Sequence, residues 1–89
     1  MILYAAFLET VDKEKDAEVL SEHLEYLYGL LDAGKVYAKG PFTDHSGGLI
    51  IYNASSLEEA KEWIEKDPVV RDGARKYILK EWKSTLEAK

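Results

Sequence analysis

A histidine paired with a carboxylate is the smallest set of side chains that moves protons efficiently near neutral pH. The chain carries two histidines, His23 and His45. Around His23, Leu20, Leu24, Leu27 and Leu31 recur at helical spacing and align on one stripe. At roughly 100° per residue, His23 falls about 60° from the centre of that stripe, at the border of core and surface and nearly in line with Leu30. A border histidine in a partly apolar setting can serve as acid or base. The structural alternative is a helix-surface histidine bonded to solvent or to a nearby carboxylate. Asp67 precedes Pro68, and an aspartate N-cap with proline at N1 is a standard way to start a helical turn. The two roles are compatible, since one carboxylate oxygen can cap while the other faces a ligand.

A second constellation is Gly40-Pro41 followed by Asp44-His45-Ser46-Gly47-Gly48. This polar, glycine-rich loop offers backbone amides to a ligand, with Gly40, Pro41 and Asp44 as the candidate substrate-binding residues; a plain turn is the alternative. It matches neither the G-x-x-x-x-G-K-[ST] nor the G-x-G-x-x-G phosphate-binding pattern. Asp44 and His45 are adjacent, seldom reach one ion together, and have no evident third ligand, so no metal site is expected. The chain has no cysteine, which excludes disulfides and thiolate metal sites. No serine stands out as a nucleophile, and an acyl-enzyme route is correspondingly disfavoured.

These residues must be positioned by a small number of elements. Ile2 to Leu8 is apolar at both alternating sets of positions and reads as a strand covered on both faces. Lys13 to Ala33 reads as a helix, closed by Gly34 at C′. Gly29 within it weakens the helix and suggests close approach to a strand. Lys35–Lys39 and Gly48–Tyr52 read as strands flanking the Phe42–Gly47 loop. Ser56 and Glu59 form an S-x-x-E capping box for a second helix, with Leu57, Ala60, Trp63 and Ile64 on its apolar side. Asp67-Pro68 ends that helix, Pro68–Asp72 adds a turn stopped by Gly73, and Tyr77–Trp82 is the last strand. The aromatics Tyr4, Phe7, Tyr37, Tyr52, Tyr77 and Trp82 all fall on strands, where core packing is their default role.

The order β-α-β-β-α-β predicts an α+β, ferredoxin-like fold, a four-stranded antiparallel sheet with two helices on one face. Two strands apolar on both faces then need cover on the side without helices, and a second copy of the sheet is the simplest cover. The chain's 89 residues suffice for one domain, and oligomerisation is a common supplement for so small a core. A net charge of −5 argues against nucleic acid or an anionic membrane as partner. The apolar N-terminal run is too short to span a bilayer and lacks a signal-peptide pattern, so a cytoplasmic protein is expected.

The ordered set of marks resembles the YciI-like family of small bacterial proteins. Those marks are His23-Leu24, the turn at Gly34 leading to Gly40-Pro41, Gly48 opening an apolar strand, Ser56-Leu57-Glu58-Glu59-Ala60 with Trp63, and Asp67-Pro68 with Gly73. The resemblance spans nearly the whole chain and implies one YciI-like domain over 1–89. It further implies a dimeric α/β barrel, related in fold to muconolactone isomerases and small monooxygenases. It maps the family's active-site histidine and aspartate onto His23 and Asp67. Some members act on chlorinated aromatics, including a dehydrochlorinase of chlorinated hydroxyquinols. The short Phe42–Gly47 loop departs from many members and alters the expected pocket rim.

Two functions are therefore expected to compete. In the first, His23 and Asp67 transfer protons in isomerisation or elimination on a small cyclic enol, lactone or hydroxyquinol, with no cofactor. In the second, the dimeric barrel binds a small ligand without catalysis. Cofactor-free redox chemistry, as in fold-related monooxygenases, is a third and weaker reading. Expected partners are a homodimer mate on the sheet face, with higher oligomers open, and a small-molecule ligand.

Overall fold

A computed structural model describes residues 1–86; residues 87–89 of the expected 1–89 unit lie outside the described residues. The elements run β1 (Ile2–Thr10), α1 (Lys13–Asp32), β2 (Val36–Pro41), β3 (Gly47–Tyr52), α2 (Leu57–Glu65), α3 (Pro68–Arg71) and β4 (Arg75–Lys83). The four strands form one sheet in the order β2-β3-β1-β4, every neighbouring pair antiparallel. This is the α+β, ferredoxin-like topology expected from the order of elements. Among the described residues no helix is long and apolar enough to cross a membrane.

Local chemistry explains the element ends. Asp12 caps α1 by accepting from the Lys15 backbone N–H at 3.0 Å, with Glu14 and Asp16 in the first turn, where negative charge suits the helix dipole. Gly34 adopts φ +75° just beyond the helix, the left-handed C′ conformation that costs glycine little. Ser56 Oγ accepts from the Glu59 N–H at 3.1 Å. The return arm of that capping box goes one residue further back, from the Ser55 N–H to Glu59 Oε1 at 3.0 Å. Gly29 is exposed and nothing lies within 4 Å of a Cβ built there, so the close approach expected of it is absent.

All four strands run longer than composition suggests. Glu9 and Thr10 continue β1 because Lys76 and Arg75 of β4 lie opposite them, and the Lys76 Nζ–Glu9 Oε1 pair at 3.2 Å bridges the ladder. Gly40 and Pro41 belong to β2. As an edge strand it tolerates a residue with no backbone donor.

The main core lies between the sheet and the helices. It joins Tyr4, Ala6 and Leu8 of β1 and Ile50 and Tyr52 of β3 to Val19, Leu27 and Leu30 of α1, Ile64 of α2 and Val69 of α3. A smaller cluster of Leu3, Ala5 and Ile51 occupies the opposite sheet face. Phe7, Ile78 and Trp82 are exposed at 43%, 61% and 42%, and the strand registers set them on that same face beside Leu49, Phe7 and Leu3. Core packing therefore holds for Tyr4 and Tyr52 and fails for Phe7, Tyr37 and Trp82.

Candidate active site

The buried face of α1 is not centred on the leucine stripe. Val19, His23, Leu27 and Leu30 are buried, whereas Leu20 is 42% exposed. The face turned to the core is thus rotated by about 75° from the Leu20–Leu31 line, and His23, expected at the border, stands at its centre. A cleft lies beside it. Leu20 and Leu24 form a wall of that cleft instead of filling the core.

His23 is 5% exposed and Asp67 is fully buried. Their side chains meet through His23 Nδ1 and Asp67 Oδ1 at 2.7 Å. A carboxylate oxygen accepts, so the ring donates through Nδ1; in a neutral imidazole this tautomer keeps the lone pair on Nε2. The helix-surface alternative for His23 gives way to a buried, carboxylate-held imidazole. Asp67 is brought there by its own cap: Oδ1 also accepts from the Val69 N–H at 3.2 Å. With φ −65° and ψ 127° it takes the extended conformation that a following proline favours. Oδ1 thus caps α3 and holds His23 at once. Oδ2 and the Tyr52 hydroxyl are buried with no hydrogen-bond partner among the described residues. A helix cap of purely structural use would sit more cheaply at the surface.

The charge of Asp67 reaches the neighbouring phenols. Burial first, and Asp67 second, push the Tyr26 hydroxyl up to about 12. The same two causes, in the same order, raise Tyr52 well above the ordinary tyrosine range. The Tyr26 hydroxyl donates to the Trp63 carbonyl, tying α1 to α2 beside the pair.

His23 lines a cleft of about 130 Å³ between α1 and the sheet. Its apolar walls are Leu8 of β1, Leu20, Leu24 and Leu27 of α1, and Leu49 and Ile50 of β3. Gly40 and Pro41 of β2 and Gly48 of β3 complete it. A Cβ at Gly48 would come within 2.9 Å of the Gly40 carbonyl oxygen, so the close approach of β2 to β3 at the cleft requires glycine there. For scale, an apolar cavity of roughly 150 Å³ accepts a benzene ring. Lys39 and Arg75 also line the cleft, and neither stands out in the sequence, because strand positions 39 and 75 gain meaning only once β2 and β4 lie around α1.

His23, Gly40 and Pro41 therefore share one cleft, with Asp67 directly behind the imidazole. Asp44 does not line it. Its Oδ1 accepts from the Ser46 N–H at 3.0 Å, and the Ser46 hydrogen bonds hold its carboxyl below the ordinary range. His45 takes φ 63° in the same tight turn. Among the described residues no group of three or more His, Asp or Glu side chains is arranged to hold a metal.

Comparison with known proteins follows the same lines. Residues 2–83 match the sequence profile of the family described as YCII-related domain. The uncharacterised protein YjpA of Bacillus subtilis (strain 168) is 37% identical over 82 residues, which cover 91% of this chain and 96% of YjpA. Among solved structures, the 5-chloro-2-hydroxyhydroquinone dehydrochlorinase of Burkholderia phenoliruptrix AC1100, in complex with 2,5-dihydroxybenzoquinone, superposes with a TM-score of 0.78. It is 24% identical, with 91% of this chain and 93% of that one covered, a likeness of fold.

Proposed function

The chain belongs to the YCII-related domain family, and from that premise we propose that it is a proton-transfer enzyme with His23 as general acid–base and Asp67 as its orienting partner. The observation that carries this reading is the 2.7 Å bond from His23 Nδ1 to a fully buried carboxylate, with the imidazole at the wall of a cleft. Nε2 takes a proton from a ring hydroxyl or an acidic C–H, and Asp67 stabilises the imidazolium that forms. In an isomerisation the proton returns to another atom of the same ring. In an elimination the electrons left on the ring expel the leaving group, so that a chlorinated substrate loses one proton and one chloride. Neither route changes the overall redox state, and the proposal invokes no cofactor.

The substrate class is a small cyclic enol, lactone or hydroxyquinol. The cleft volume suits a single ring, and the similarly folded dehydrochlorinase was solved with 2,5-dihydroxybenzoquinone. Gly40 and Pro41 would contact the ring. Asp44 would act only from the adjoining turn. The active form would be a homodimer paired through the exposed apolar sheet face in the cytoplasm. One observation favours a non-catalytic ligand-binding protein instead: a single Asp67 oxygen both caps α3 and holds His23, as a structural tether between helices would.

The test is a thermal-stabilisation screen of small cyclic acids, lactones and hydroxyquinols, 2,5-dihydroxybenzoquinone included. A ligand that binds only the folded state raises its stability by mass action. Compounds are expected to stabilise wild type more than His23→Ala or Asp67→Asn. If none discriminates between wild type and the variants, the dyad loses its support.

A further inference from the structure

The lining of the cleft differs in character from the acidic molecule around it. The chain has 17 acidic and 12 Lys or Arg residues, yet no acidic residue lines the cleft, while His23, Lys39 and Arg75 do. Arg75 is held to Asp16 by its Nε at 2.6 Å and one Nη at 3.2 Å. Of the five guanidinium N–H groups, three are left without a partner among the described residues. Lys39 has no carboxylate within salt-bridge distance among the described residues. Its ammonium lies 4.6 Å from the Tyr28 ring centroid, an arrangement that steers a cation without neutralising it. Asp16 already balances Arg75, so Lys39 is the uncompensated positive charge at the cleft.

We infer that the cleft selects its ligand as an anion, with Lys39 recognising the negative charge and Arg75 offering N–H donors to an oxygen of the same ring. The ligand class is a planar ring carrying an ionised enol, phenol or carboxyl oxygen. This deepens the proton-transfer proposal and rests on it: removing a proton from such a ring concentrates negative charge on its oxygens, where the Lys39 ammonium and the remaining Arg75 N–H donors would stabilise it.

The experiment measures Kd by calorimetry for 2,5-dihydroxybenzoquinone, a vinylogous acid ionised near neutrality, and for its uncharged dimethyl ether. Wild type, Lys39→Met and Lys39→Arg are compared at low and high salt, with circular dichroism to verify folding. Wild type is expected to prefer the anion and to lose affinity as salt rises. Lys39→Met should weaken anion binding about tenfold or more without changing affinity for the ether, and Lys39→Arg should restore most of it. No binding of the anion to wild type, equal affinity for anion and ether, or an unchanged Kd in Lys39→Met overturns the inference. Any of these leaves the role of His23 to be judged separately, by whether His23→Ala loses turnover.

Discussion

His23 and Asp67 owe their contact to different local rules. Asp67 sits where proline demands an extended predecessor and a cap, and that rule was legible in the sequence. The burial of His23 was not, because a leucine stripe marks the most apolar direction of a helix, whereas the core takes the direction that neighbouring elements leave open. Leu20 and Leu24 line the cleft instead. Lys39 and Arg75 were illegible for a related reason: a cation on a strand reads as solvated until the strands beside it are known. At this scale the buried phenols have a consequence for pH. Tyr26 is raised from 10.0 to about 12 and Tyr52 is raised further, so the folded state keeps protons that the unfolded chain releases from about pH 10 upward. Their contribution to stability is complete below pH 10 and is lost as pH climbs toward and through the folded values. Urea unfolding between pH 9 and about 11.5 should show stability falling with pH, and Tyr52→Phe should flatten the slope; a pH-independent midpoint in wild type would contradict the assignment.

At the scale of elements, the cleft depends on how closely β2 and β3 approach at their glycines. Gly48→Val sets a branched side chain where a Cβ already meets the Gly40 carbonyl oxygen at 2.9 Å. It should cost about 1–3 kcal/mol by overpacking and reduce ligand-induced stabilisation. Gly40→Ala, with nothing within 4 Å of its Cβ, should leave stability nearly unchanged. Denaturant midpoints of the two variants measure the contrast, and equal losses would contradict it. Strand boundaries show why composition reads elements incompletely. Glu9, Thr10 and Arg75 look like loop residues and become strand because antiparallel partners lie opposite them. The order of elements itself was legible, from the leucine periodicity of α1, the Ser56 and Asp67 caps, and apolar runs of a length typical of strands.

For the whole molecule, the two sheet faces divide the labour: one carries the helices and cleft, the other Phe7, Ile78 and Trp82 in the open. Cover was expected over β1 and β3, whereas the exposed apolar side chains of this face stand on β1 and β4. The extent of that cover was not legible, because Leu3, Ala5 and Ile51 are already buried within one chain. Pairing through this face predicts a dimer by sedimentation velocity, and Phe7→Glu with Ile78→Glu should give a monomer with an unchanged far-ultraviolet spectrum. A wild-type monomer would remove the proposed pairing. The cleft draws residues from α1 and all four strands, with Asp67 supplied just before α3, so the proposed proton transfer at His23 would be a property of the whole chain. Its most direct test is the turnover of 5-chloro-2-hydroxyhydroquinone and related hydroxyquinols by wild type and His23→Ala, with and without added imidazole. His23→Ala should lose about 10²- to 10⁴-fold in turnover and regain part of it with imidazole; turnover by His23→Ala at the wild-type rate would contradict a general acid–base role for His23.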